Sequence, residues 1–115
     1  MANDNSILNT VKKMLGITED YTAFDTDIVI YINSTFSRLH QLGVGPKQVF
    51  QITGPTEVWS SFLNDDDRLA MVITYMYTKV KLVFDPPQSS FVLNSIQDQI
   101  KEYEWELNVI SDTVE

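Results

Sequence analysis

The 115-residue chain has no cysteine, one histidine, and eight lysines and arginines against sixteen aspartates and glutamates. Without cysteine there is neither a disulfide nor a thiolate metal site, and a reducing cytoplasm suits such a chain. The lone His40 leaves a zinc site short of ligands. No window approaches the roughly 18 consecutive apolar residues of a membrane span, so no membrane partner is expected. The opening Met-Ala-Asn-Asp-Asn lacks the basic-then-apolar order of a signal peptide. No cationic cluster relieves the net charge of −8, since Lys12-Lys13 and Lys79/Lys81 are only pairs. Sequence-neutral DNA binding needs several cations facing phosphates at once, so tight binding of DNA is not expected. An acidic wall still lets a polyanion pass without sticking.

What is present is apolar material at helical spacing. Hydrophobic residues make up 43% of the chain, enough for one continuous core in a single domain over residues 1–115. A first helix is expected over residues 6–15, capped by Asn5 or Ser6, with Ile7, Leu8, Val11, Met14 and Leu15 on one stripe and Gly16 just past its end. A second should span 25–42, with Asp25 as its cap and Ile28, Ile32, Thr35, Phe36, Leu39 and Leu42 recurring at three and four residues. Gly43-Val44-Gly45-Pro46 then breaks the chain. The segment to Pro55 is irregular, with a short extended piece at 49–52, and loops of this length carry function or motion. Residues 57–63 read as a short helix turning Val58, Trp59, Phe62 and Leu63 inward.

The last two helices carry most of the apolar mass. Asp65-Asp66-Asp67 caps a helix with Leu69, Val72, Ile73, Met76, Val80, Val83 and Phe84 on one stripe and Met71, Tyr75 and Leu82 on a second. A helix apolar on two sides is central, and truncating Ile73 or Met76 to alanine should cost about 2–5 kcal/mol. Pro86-Pro87 ends it near Asp85, because proline lacks a donor and biases its predecessor away from the helical region. Ser89 or Ser90 caps the final helix, where Leu93, Ile96, Ile100, Tyr103, Leu107 and Ile110 form a 3-4-3-4-3 seam. The fold class is all-α: a small bundle of four to five helices with a long C-terminal helical hairpin and one long irregular loop.

Chemistry is sparse on these elements. His40, in a last helical turn, suits the helix dipole better than catalysis. The contiguous Asp65-Asp66-Asp67 lacks the alternation, glycine and closing glutamate of a calcium loop. Glu102, Glu104 and Glu106 alternate along a helix, cannot converge on one atom, and read as a solvated or partner-facing surface. Gly43-Val44-Gly45 follows a helix and is too short for a dinucleotide loop, and Ser34, Ser60 and Ser61 have no base beside them. No catalytic, cofactor-binding or metal residue is assigned. Phe91 and Trp105 fall off the seam, and with the Phe50/Ile52 loop they exceed what one small core needs. Surplus aromatics anchor interfaces. The candidate interface is therefore Val44, Phe50, Ile52, Phe91, Trp105, Glu102 and Glu106.

Three segments together resemble a known family: Phe24-Asp25-Thr26-Asp27-Ile28, Gln41-Leu42-Gly43-Val44-Gly45-Pro46, and Lys81-Leu82-Val83-Phe84-Asp85-Pro86-Pro87-Gln88-Ser89-Ser90-Phe91. The run from Gln99 to Asn108 extends the match to essentially the whole chain. In this order they resemble the head–tail connectors of tailed double-stranded-DNA phages. The resemblance implies an all-helical subunit of a homo-oligomeric, dodecameric ring at the portal vertex of the virion. Its implied partners are other copies, the portal protein, a tail-completion or stopper protein, and DNA that passes through without tight binding. It brings no catalytic residue and no cofactor. Placed in such a ring, the fifth helix or the tail is expected to meet the portal and the 44–53 loop to face the channel or a neighbour; the host cytoplasm is then the compartment of assembly. The rival readings are a small helical adaptor that forms no ring and a DNA-packaging or DNA-binding accessory factor.

Overall fold

A computed structural model of the chain describes residues 6–63 and 66–114, with the side chains of 66, 67 and 110–114 outside that description. Among the described residues five helices follow in order: α1 (Ile7–Met14), α2 (Asp25–Gln41), α3 (Trp59–Phe62), α4 (Asp66–Phe84) and α5 (Ser90–Val114). Among the described residues there is no strand, and the only extended pairing is an isolated antiparallel bridge between Ser6 and Val58. The molecule is a small all-α bundle shaped as a slab of 40 × 38 × 21 Å.

Local chemistry explains the helix ends. Ser6, in extended conformation, accepts the Asn9 N–H on its hydroxyl at 3.2 Å and starts α1. The alternative cap, Asn5, lies outside the described residues. Behind α2, Gly43 takes a φ of +83°, where a Cβ would be strained. Its N–H donates to the His40 carbonyl at 3.0 Å, and the Val44 N–H reaches back to the Leu39 carbonyl at 3.0 Å. This paired closure brings the residue after the glycine against the last turn of the helix. The same two bonds close α1, from Gly16 to Lys13 and from Ile17 to Lys12.

Asp25 departs from its expected role. Phe24 occupies the cap position with no side-chain bond, and Asp25 is already the first helical residue. Its carboxylate instead pairs with Lys12 Nζ at 2.8 Å, and the same ammonium donates to the Glu19 carbonyl at 3.0 Å. Lys12 is only 1% exposed. One half of the Lys12-Lys13 pair is therefore spent inside the fold, tying α1 to the start of α2.

The core is built by Ile7, Leu8 and Val11 of α1, Ile28, Ile32, Phe36 and Leu39 of α2, and Val72, Tyr75, Met76 and Val80 of α4, with Trp59 and Phe62 between them. Phe36 is the hub of its aromatic part, with ring centroids 4.7 Å from Phe62 and 5.0 Å from Phe50. α4 packs against α1, α2 and α5 and is the central helix. Its inner face is narrower than the two expected stripes. Leu69, Met71, Ile73, Leu82 and Phe84 are partly buried, and Val83 is 57% exposed because the last turn of α4 runs past the core. The expected 57–63 helix shrinks to one turn, Trp59–Phe62, since Val58 is drawn into the bridge with Ser6. The Asp65–Asp67 cap and Ile110 lie outside the described side chains.

α4 and α5 form the hairpin. The Asp85 N–H donates to the Lys81 carbonyl at 2.8 Å, closing α4 before Pro86-Pro87. Ser89 starts α5, its carbonyl receiving the Leu93 N–H at 2.9 Å and its hydroxyl the Val92 N–H at 3.4 Å. Ile100 and Leu107 are buried on the seam, with Leu93, Ile96 and Tyr103 half-buried beside them.

Candidate interaction surface

Of the apolar residues of the 43–55 loop, Val49 is exposed, but the two interface candidates Val44 and Ile52 turn inward. Val44 and Ile52 are each 2% exposed and belong to the core. Two local devices turn them in. The closure of α2 through Gly43 lays Val44 against that helix. The Asn33 side-chain amide receives the Ile52 N–H on Oδ1 at 2.8 Å and donates from Nδ2 to the Ile52 carbonyl at 3.0 Å. This imitates one rung of a sheet, and it takes the place of the extended piece expected at 49–52, where no ladder forms. Phe50 is half-buried, with its ring 5.5 Å from Phe62. Val44 and Ile52 therefore offer no surface to a partner, and Phe50 offers only an edge. Glu57 fixes the far end of the loop, accepting the Thr53 N–H at 3.0 Å and the Thr53 hydroxyl at 2.9 Å. Partial burial alone would raise its pKa, but these hydrogen bonds outweigh burial and hold it below the ordinary carboxylate value.

The three alternating glutamates of α5 divide. Glu102 is exposed and Glu106 is half-exposed. Glu104 turns inward, against the expectation of a solvated or partner-facing side chain. Its Oε1 accepts Arg38 Nη2 at 2.9 Å, and its Oε2 accepts Arg38 Nε at 3.3 Å and the Tyr75 hydroxyl at 2.6 Å. The cluster joins α2, α4 and α5 in one network. Burial pushes the Glu104 carboxyl up, but the hydrogen bonds from Arg38 and Tyr75 and the charge of Arg38 prevail and hold it below its usual value. Burial, then the hydrogen bond to Glu104, pushes the Tyr75 phenol well above its ordinary value. A second tie lies one turn along α5, where Asn108 Nδ2 donates to the Leu42 carbonyl at 3.2 Å.

Sequence reasoning missed this network. Arg38 and Glu104 are 66 residues apart, and no local spacing links them. Two signals were present. Glu104 lies four residues after Ile100 and three before Leu107, on the seam face, and Tyr75 brings a hydroxyl that needs a partner into an apolar stripe.

The opposite face of α5 is bare. Phe91 is 82% exposed and Trp105 is 67% exposed, the two highest values among the large apolar side chains described. Asp98 and Glu102 lie exposed between them. A hollow of about 380 Å³ runs between α4 and α5 beside the hinge, bordered by Tyr77, Leu82, Pro86, Pro87, Val92 and Ile96. No group of three or more His, Cys, Asp or Glu among the described residues is placed to hold a metal ion, and no described helix is long and apolar enough to cross a membrane.

A helical slab whose charged groups act as ties, and whose most exposed aromatics stand on one helix face, has the character of an assembly subunit. The sequence profile of the family described as phage connector protein matches residues 7–114, and the chain belongs to that family, the phage head–tail connectors. Its role is that of a structural connector of the phage particle, which places it at the virion neck in association with portal and tail proteins. Neither a curated protein nor a solved structure matches the chain.

Proposed function

We propose that this chain is the ring-forming adaptor of the neck: copies assemble beneath the portal, twelve in the virion, extend the DNA channel and present a docking surface to the tail-completion protein. The observation that carries this reading is the family match, which runs through all five helices. A ring needs a heterologous contact, one patch meeting a different patch on the neighbour. A slab 21 Å thick, with Ile30 exposed on α2 and Val83 exposed on α4, has apolar groups on separate helices that suit such contacts, and leaves Phe91 and Trp105 of α5 for a different partner. Of the interface candidates, Phe91, Trp105, Glu102 and Glu106 remain open to a partner. The negative charge suits a conduit, and burial of Lys12 lowers the capacity to grip DNA further.

The test is electron microscopy of lysates from a phage with a stop codon early in this gene. Heads that leak DNA or lack tails, beside free intact tails, are the expected result. Normal tailed virions would remove the connector role for this chain.

A further inference from the structure

On the 100° period of an α-helix, Phe91, Asp98, Glu102, Trp105 and Val109 fall within about 60° of one another, opposite the buried Ile100 and Leu107. At 1.5 Å per residue this strip is about 27 Å long. It alternates ring, carboxylates and ring, ending on the half-exposed Val109. A face meant only for water has no use for the two most exposed aromatics among the described residues, and exposed aromatics are the usual anchors of interfaces. We propose that the outer face of α5 docks a cationic protein surface, whose arginines or lysines pair with Asp98 and Glu102 while their stems and charges lie over Trp105 and Phe91. This rests on the connector reading and adds the chemistry of the partner.

Charge decides the occupant. A guanidinium or ammonium gains both from a carboxylate and from the face of an aromatic ring, so alternating acids and rings fit cations better than neutral apolar groups. A second copy is a poor match. The chain carries −8 overall, Lys12 is buried, Arg38 is tied to Glu104 and Lys81 pairs with Asp85 at 3.4 Å, while the exposed Lys13, Lys47 and Lys101 stand singly on separate segments and make no cationic patch in the sequence. Two acidic surfaces brought together repel. DNA is excluded from the strip for the same reason.

The experiment has two arms. In the first, the full chain is titrated calorimetrically with an amphipathic lysine–leucine helical peptide and with its glutamate–leucine counterpart. The lysine peptide alone should bind, weakening about tenfold or more on raising salt from about 50 to 500 mM. Asp98→Lys with Glu102→Lys, or Trp105→Ala, should weaken it at least about tenfold. Glu19→Gln with Asp20→Asn, exposed acids elsewhere, should leave it unchanged. Equal loss in that control would overturn the inference by showing diffuse attraction to a negative chain. So would Trp105-dependent self-association of the wild type, which would assign the strip to a second copy.

In the second arm the same variants complement the stop-codon phage. Plaque yield with the double lysine variant should fall at least about 100-fold, with heads and tails unjoined, while circular dichroism and urea midpoints stay at wild-type values because these side chains are exposed. Full complementation by both the double lysine variant and Trp105→Ala would overturn the docking strip and leave the connector role standing. Normal virions from the stop codon alone would instead remove the connector role.

Discussion

Glu104 and Lys12 carry opposite charges and do the same work, each holding together segments that sequence distance separates. Replacing Glu104 with glutamine keeps the shape and removes the charge that Arg38 and Tyr75 both address. We expect a loss of about 1–3 kcal/mol in urea unfolding at neutral pH. The pH dependence follows from the depressed carboxyl. The folded chain binds fewer protons than the unfolded chain at pH values below the ordinary 4.5, so stability contributed by Glu104 is complete above that value and is lost as pH falls through the lower folded value. Acid unfolding of Glu104→Gln should therefore be flatter than wild type from about pH 4.5 down to the lower folded value, and identical slopes there would count against the network. Lys12→Ala leaves Asp25 beside the core without its cation and should cost about 3 kcal/mol, read from the same urea midpoints.

At the scale of elements, apolar spacing located the five helices and the α5 seam, because those features depend on neighbours three and four residues away, and the two prolines by themselves marked the hinge. It placed α4 at the centre, yet could not say which part of the helix faces inward. Met76 is fully buried and Met76→Ala should cost about 2–5 kcal/mol, whereas Ile73, half-buried, should cost clearly less in parallel thermal melts. The loop was the least legible segment, since its path depends on Asn33, nineteen residues before Ile52. Asn33→Leu strands a donor and an acceptor at once, so the Ile52 amide should exchange with solvent deuterium at least about tenfold faster. Gly45 adds a steric condition: its φ is +100°, and a methyl group there would run into the Phe62 ring. Gly45→Ala should cost about 2–4 kcal/mol by chemical denaturation. The surface candidates were half legible for one physical reason. An off-seam aromatic on a long helix stays outside, while an apolar loop residue follows whatever hydrogen bonds bend the loop.

At the scale of the whole molecule, charge and shape act together. A thin, negatively charged slab with its cations partly spent on internal ties should leave a DNA fragment unshifted in an electrophoretic assay at physiological salt, and a salt-dependent shift would favour a DNA-binding accessory role instead. The two tryptophans divide the molecule in a further way. Trp59 sits in the aromatic core at 4% exposure, whereas Trp105 stands in water. Light absorbed by the pair therefore returns in two colours, a bluer emission governed by the integrity of the core and a redder one governed by whatever covers α5. A quencher added to the solution will silence the second before the first. With either tryptophan replaced by phenylalanine, unfolding and assembly become separately visible in the same cuvette, and the order in which they occur at the neck can be timed.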